Sequence, residues 1–523
     1  MLSTLLVLVI LVGPWNPGSN AQAPLTGGTT YYVDPNGSDA TGTGAAGNPW
    51  ATIAHAAMQV GAGDTVLINP GTYEGGIIVD ESGEAGQPIT FMAAGPGVVI
   101  DGSAGLQDSF YITQANYVIV DGLTIRNADR AGLRISLSDY VTVRNSTFAD
   151  NGKWGVFTDF SDHTLIENIE SYGAVDEHGI YISNSSDYPT IRDNILRHNH
   201  ANGLHMNGDL SQGGDGVISH GLVENNIIYE NGLGGGSGIN MDGVTDTLVR
   251  NNLLYNNHAS GISVYQIDGG SGSQNNRLLN NTIVMPADGR WAINIPDSSD
   301  TGNQVFNNIL YSYHSWRGSI SIAGPGLAGF ESDYNIVVDR FSDDAGNSNM
   351  SLAAWQALGY DQHSFLAHPD DLFVNAAAGD FRLKPGSPAI DAGTSLGDVP
   401  TDLAGSPRPG GAGFDIGAYE FHPDLVLNAA PGDESIRLNW SINTSLPLTS
   451  TWQITYLGPA GDQPSPISGL PAATRSYTLT GLENYSTYTL TLQSMLDGSP
   501  VLTDTVTTFP TDLFAYLPVI SKP

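Results

Sequence analysis

Short frames recur along the chain in which a Gly or Ala is followed by aliphatic and polar residues in alternation. They are GLRIS (Gly132 to Ser136), GVFTD (Gly155 to Asp159), GIYIS (Gly179 to Ser183), GLHMN (Gly203 to Asn207), GINMD (Gly238 to Asp242), GISVY (Gly261 to Tyr265) and AINIP (Ala292 to Pro296). Period two is the signature of a strand with one buried face, since successive side chains point to opposite sides. Leu204 and Met206 are therefore expected in a core, with His205 and Asn207 facing solvent. Stacking the frames aligns two outward columns. One reads Arg134, Phe157, Tyr181, His205, Asn240, Ser263 and Asn294; the other reads Ser136, Asp159, Ser183, Asn207, Asp242, Tyr265 and Pro296.

Asparagines mark a second period between the frames. Asn145, Asn168, Asn194, Asn226, Asn252, Asn281, Asn308 and Asn335 follow one another at intervals of 23, 26, 32, 26, 29, 27 and 27. Such a repeat predicts one coil of a right-handed parallel β-helix per interval, with insertions at some corners. Asn suits such a corner because it tolerates left-handed backbone and its amide can bond the amide of the next coil. The fold class is all-β: a right-handed parallel β-helix (solenoid) followed by a small antiparallel β-sandwich.

The elements set the domain boundaries. Residues 1–23 hold the run Leu5 to Val12 and an Ala21-Gln22-Ala23 site, which predicts a cleaved secretory signal in an exported bacterial protein. Residues 24–421 form the β-helix. It opens with a helix over Trp50 to Val60 that covers the end of the stack and finishes with a module at 380–421. Within that module Asp391, Arg408, Asp415 and Glu420 form a candidate structural network. Residues 424–510 alternate as the strands of a sandwich, and 511–523 form an apolar tail.

Composition narrows the partners. The 523 residues carry 18 Lys and Arg against 53 Asp and Glu, a formal net charge of −35, which repels nucleic acid and anionic membranes. There is no cysteine, so disulfides are excluded and any metal needs oxygen or imidazole ligands. No stretch is long and apolar enough for a membrane span, and a secreted or surface-attached monomer is expected.

Four motifs bring a resemblance. The stretch with YYVDPNGSD, PWATI, GDTV and GTY (Tyr31 to Tyr73) resembles the entrance of secreted β-helix carbohydrate enzymes, and Thr30 to Asn335 as a whole resembles the polysaccharide lyases of that class (pectate-lyase-like). The 380–421 segment, with GSPAIDAG and DIGAYE, resembles a closing module of bacterial extracellular β-helix proteins. Residues 424–510, with Trp440 and the Leu482, Tyr485 and Tyr488 spacing, resemble a fibronectin type III domain. The resemblance implies a polysaccharide substrate or ligand, and cleavage of an acidic one by β-elimination. The alternatives are a glycoside hydrolase on the same groove and a non-catalytic cell-surface glycan-binding protein.

The outward columns concentrate chemistry over about four coils, a patch about 15 Å long. They are denser in His, Asn and Tyr than a merely solvated face, and Lys153 is the only lysine between Gly28 and Arg340. Candidate catalytic residues are Lys153, His178, Tyr181 and His205. Candidate substrate-binding residues are Asn202, Asn207, Asn240, Tyr265, Arg290 and Trp291. Asp209, Asp215 and Asp242 are candidate ligands for Ca²⁺, which takes carboxylate and carbonyl oxygens. Hydrolysis would instead pair Glu177 with Asp209 or Asp242. A zinc site from His198, His200 and His205 is a further reading of HNHANGLH.

Overall fold

The computed structural model describes residues 27–512 except 423, 443–445, 447, 448, 460–465 and 497. The signal segment and the tail from Phe514 lie outside the described residues. Three long parallel sheets of 12, 11 and 12 strands run the length of residues 30–366, each coil contributing one strand to each sheet. This is the parallel β-helix the repeats predict. The middle, 11-stranded sheet carries the frames in the expected register: Phe157 pairs with Tyr181, Tyr181 with His205, His205 with Asn240 and Asn240 with Ser263. Leu133, Val156, Ile180, Leu204, Ile239 and Ile262 stack inward with no exposed surface.

The asparagines divide into two columns. Asn194, Asn226, Asn252, Asn281, Asn308 and Asn335 are buried; each Oδ1 accepts from the backbone N–H one coil earlier, as in Asn226 N–H to Asn252 Oδ1 at 3.0 Å. Asn145 and Asn168 belong to the preceding position, where the backbone is left-handed and the side chain lies outside. The ladder position in their coils is held by Ser146 and Ile169, so the period is right but the column slips by one residue there. A parallel buried ladder is formed by Asn151, Asn199, Asn231 and Asn257.

A second left-handed corner is filled by rings. Tyr117, Tyr140, His163, Tyr188 and His220 all have φ between 55° and 59° and stack successively, with centroids 4.6–5.0 Å apart. Left-handed backbone costs a non-glycine residue about 1–2 kcal/mol, and each ring contact returns about 0.5–1.5 kcal/mol.

Helix α1 spans only Ile53–Ala57, shorter than the predicted 50–60. Its start is fixed by Thr52, whose side chain accepts from His55 N–H. Trp50 is held before it, its N–H donating to Tyr32 O and its ring stacked on Tyr31. The far end of the core is covered by helix α2 (Leu352–Ala357), where Trp355 packs on Phe341 and Phe330.

The 380–421 module therefore does not close the end. It lies along the flank, with Phe381, Leu383, Ile416 and Phe421 against Leu253, Val284, Ile309 and Ile336. Outer asparagines tie it down: Asn251, Asn280 and Asn307 donate to the carbonyls of Thr401, Asp415 and Thr394. Arg408 and Glu420 form a fully buried ion pair at 2.5 Å, and Asp415 accepts from the N–H groups of Asp391 and Phe421, so the expected polar network is present. Beyond it, two antiparallel sheets of three and four strands enclose Trp440 and Trp452. The corner tyrosine is Tyr488, whose hydroxyl accepts from Glu483 N–H, while Tyr485 is exposed.

Candidate functional site

Five middle-sheet strands build the site: β1 (Trp154–Asp159), β2 (Ile180–Ser183), β3 (Leu204–Asn207), β4 (Ile239–Asp242) and β5 (Ile262–Tyr265). Because they are parallel, all N-terminal ends share one side and all C-terminal ends the other. Segments entering the strands, including the glycine-rich 231–237, therefore form one wall, and 208–217 with 266–270 form the other. The columns are not an open face as the alternation alone implies. Phe157, Asn240 and Ser263 are buried, and Tyr181 and His205 are half-buried between the walls.

Glu177 joins the entering ends of β1 and β2. Lys153 Nζ lies 2.7 Å from its Oε1, and Trp154 Nε1 donates to its Oε2 at 2.7 Å. His178 Nε2 is 3.7 Å from the same carboxylate. The indole of Trp154 stacks on Phe157 at 4.4 Å, and the ring of Tyr181 lies on His205 at 4.7 Å and 8°. His178 and His205 meet edge to face, with His205 Nδ1 2.9 Å from His178 Nε2. Asn202 presents its backbone N–H and its Nδ2 to His178 Nδ1, each at 3.2 Å. Asn207 Nδ2 donates to the Tyr181 hydroxyl at 3.2 Å, and Asn240 Nδ2 to the Tyr265 hydroxyl at 2.6 Å.

Burial sets the protonation of this cluster. It pushes the His178 imidazole down to about 3, helped by the positive Lys153, and holds His205 well below its ordinary value. Both rings are neutral at physiological pH. Burial also raises Tyr181, so its phenol keeps its proton. Toward the N-terminus the groove continues through Arg134, whose guanidinium lies over the rings of Tyr111 and Phe157 and bonds Asp159 at 2.8 Å. Beside it Arg130 Nε donates to Asp108 at 2.9 Å.

The structure thus gathers Lys153, His178, Tyr181, His205, Asn202, Asn207 and Asn240, with Tyr265 at the next coil. Asn202 is 3% exposed, which leaves it behind the histidines instead of on the surface. Trp291 is a correction: at 4% exposure it lies under the loop at Gly346 and offers no ring face. Arg290 is exposed one coil beyond Tyr265.

The three aspartates are not brought together. Asp242 is 1% exposed, and its oxygens accept from the N–H groups of Ile267, Asp268 and Gly269, which pins the 266–270 wall. Asp209 caps its own turn through Ser211, and Asp215 through Val217. Their oxygens are turned to separate backbone amides, so these residues do not fit a shared Ca²⁺ site. Among the described residues no group of three His, Cys, Asp or Glu is arranged to hold a metal. The zinc reading fails on the same geometry: His198 turns to Glu230 at an outer corner and His200 is exposed, while His205 belongs to the middle sheet.

The frames alone do not reveal the hub at Glu177. Its signal is the coil period, since Lys153 and Trp154 precede it by 24 and 23 residues and therefore sit one coil below. The same rule finds Asp108 and Arg130, 22 apart.

Residues 31–289 match the family model described as the Pel9A-like right-handed β-helix region. The uncharacterized protein YwoF of Bacillus subtilis (strain 168) is 30% identical over 176 residues, 32% of this chain and 29% of that protein. The match thus spans less than a third of that relative's length. Among solved structures, a rhamnogalacturonan lyase is 16% identical, with 72% of this chain and 99% of that one covered at a TM-score of 0.45. A complex of XylC with xylose is 12% identical, with 75% and 98% covered at 0.47. A family PL6 polysaccharide lyase of Pseudopedobacter saltans is 13% identical, with 62% and 92% covered at 0.35. Among the described residues no helix is long and apolar enough to cross a membrane.

Proposed function

We propose that this chain, with its Pel9A-like right-handed β-helix region, is an exported enzyme that cleaves an acidic polysaccharide by β-elimination in the groove over Tyr181 and His205. One observation carries the reading: an amine, a protonated phenol and imidazole N–H groups are collected on consecutive coils of a chain whose formal charge is −35. A local set of donors is what an anionic sugar needs to approach such a surface.

In the reaction Lys153 Nζ passes one proton to the Glu177 carboxylate 2.7 Å away and then takes the proton from C5 of a uronate. The electron pair of that C–H bond forms the C4–C5 double bond, and the C4–O bond to the neighbouring sugar breaks. The departing oxygen takes the proton of the Tyr181 hydroxyl, which burial keeps in place. Asn207, which donates to that hydroxyl, orients it. Glycoside hydrolysis is less well supported, because Asp242 has its oxygens occupied by three backbone N–H groups and Glu177 is held by Lys153 and Trp154.

The test is incubation with a panel of polyuronates, following the ultraviolet absorbance of the unsaturated product. The expected result is product with at least one uronan, lost by at least about a hundredfold in Lys153→Met and Tyr181→Phe. Release of saturated reducing ends without that absorbance would favour the hydrolase, and glycan binding without turnover would favour a binding protein.

A further inference from the structure

We infer that His178 and His205 are each locked in one tautomer, so that His205 presents a fixed neutral Nε2–H as the donor that recognises the substrate's carboxylate, with Asn202 as the positioning residue. The identity of the acceptor rests on the acidic-glycan reading above; the lock does not.

The lock follows from the direction of each hydrogen bond. Ser237 N–H donates to Asn202 Oδ1, which fixes the amide and leaves Nδ2 facing His178. Asn202 thus aims two N–H groups, its backbone and its Nδ2, at His178 Nδ1. That nitrogen must be an acceptor, so the one proton of the neutral ring sits on Nε2. His178 Nε2–H then donates to His205 Nδ1 over 2.9 Å, which makes Nδ1 the acceptor and places the His205 proton on Nε2. The opposite assignment sets a proton on His178 Nδ1 against two other N–H groups.

The chain of donors ends without an acceptor. His205 Nε2 is covered and finds no partner among the described residues, although the His205 side chain as a whole is only half-buried. An arriving oxygen has first to displace the groups that cover this atom. A buried N–H with no acceptor is unfavourable, so the site gains when a ligand supplies one. The glycine-rich wall keeps the lock in place. At Gly236, with φ +104°, a Cβ would fall 2.6 Å from Asn202 Oδ1, so the chain closes on Asn202 only as glycine.

Long-range ¹H–¹⁵N correlation on the full chain with ¹⁵N-labelled histidine reads the tautomers directly. His178→Gln and His205→Gln assign the signals. Both rings should give the neutral Nε2–H pattern at neutral pH; an Nδ1–H or imidazolium pattern at either ring overturns the lock. Asn202→Leu should mix the His178 tautomers, and an unchanged pattern would remove Asn202 from its positioning role. Titration with oligogalacturonate, and with its methyl ester as the uncharged control, tests the acceptor. The acid should move the His205 Nε2–H signal and the ester should not.

Loss of acid binding by about tenfold or more is expected in His205→Leu, and recovery to within about threefold in His205→Gln, whose amide N–H replaces Nε2–H. Binding or turnover with that signal unmoved would overturn the assignment. If oligogalacturonate does not bind and no uronan is cleaved, the acceptor falls with the lyase reading while the lock stands on its spectrum.

Discussion

The division of the asparagines into an inner ladder and an outer corner makes a sharp prediction for Asn281. Its Oδ1 accepts from the backbone N–H and Nδ2 of Asn252 at 3.0 and 2.9 Å, and its Nδ2 donates to Val249 O at 2.9 Å and Asn308 Oδ1 at 3.0 Å. Asn281→Ala removes all four bonds at a position with no exposed surface. At about 1 kcal/mol net for each, plus about 1–2 kcal/mol for the Asn252 N–H left without an acceptor, the loss is about 5–6 kcal/mol. Asn168→Ala is the control. It removes a single exposed amide bond of 2.6 Å to Asn145 and puts Ala into left-handed backbone, for about 1–3 kcal/mol. Urea unfolding followed by tryptophan fluorescence compares the two, and hydrogen exchange at the Asn252 amide reports where the opening occurs. Because a solenoid loses cooperativity between distant coils, the exchange measurement gives the cleaner local value. Equal losses for the two variants, or unchanged exchange at Asn252, would refute the inner ladder as the stabilising one.

Asp300 gives a pH dependence. Burial, with Oδ2 unpartnered, raises its carboxyl to about 7, so the folded chain holds this proton more tightly than the unfolded one. Its contribution to stability therefore falls as pH rises from about 4 to 7 and levels off above, by about 4 kcal/mol in all. Asp300→Asn should flatten that slope and be more stable than the parent at pH 8, as read by urea midpoints across pH. Arg408→Met strands a buried carboxylate and should cost about 3–5 kcal/mol in the same assay. Adding Glu420→Leu should recover only part, since Glu420 also accepts from the N–H groups of Gly410 and Asp415. At the aromatic corner, Tyr140→Ala should melt below Tyr140→Gly by about 1–2 kcal/mol, because both lose two ring contacts but only Ala keeps the left-handed strain. The reverse order would mean the corner is unstrained.

The solenoid was legible because two signals agreed. Period two within each frame fixes which residues turn inward, and the coil period fixes how frames stack, so the column from Phe157 through Tyr181 and His205 to Asn240 follows from the repeat alone. What sequence could not supply was the depth of the groove. Asn240 and Ser263 read as surface positions by alternation, yet loops inserted between strands fold over them, and alternation carries no information about such walls. Asp242 illustrates the same limit: an aspartate beside His and Asn reads as a ligand, but three backbone N–H groups from a loop 25–27 residues later occupy it. The tautomers of His178 and His205 were equally hidden, because they depend on Ser237, which stands one long coil, 35 residues, beyond Asn202. The slip at Asn145 and Asn168 has a simple origin: Asn serves both left-handed corners and amide ladders, and these positions are adjacent.

The two walls also bear on how such a chain can change. The ladders fix the length of each coil at two of its corners, where an extra residue would break amide bonds in both neighbouring coils. The 35-residue interval between the paired Leu204 and Ile239 takes its surplus in 208–217 and 231–237, both flanking the middle sheet. Insertions and deletions are therefore tolerated mainly where they reshape the rim around Tyr181 and His205. A lineage built on this scaffold can vary the shape of that rim by lengthening or trimming those segments while every strand keeps its register.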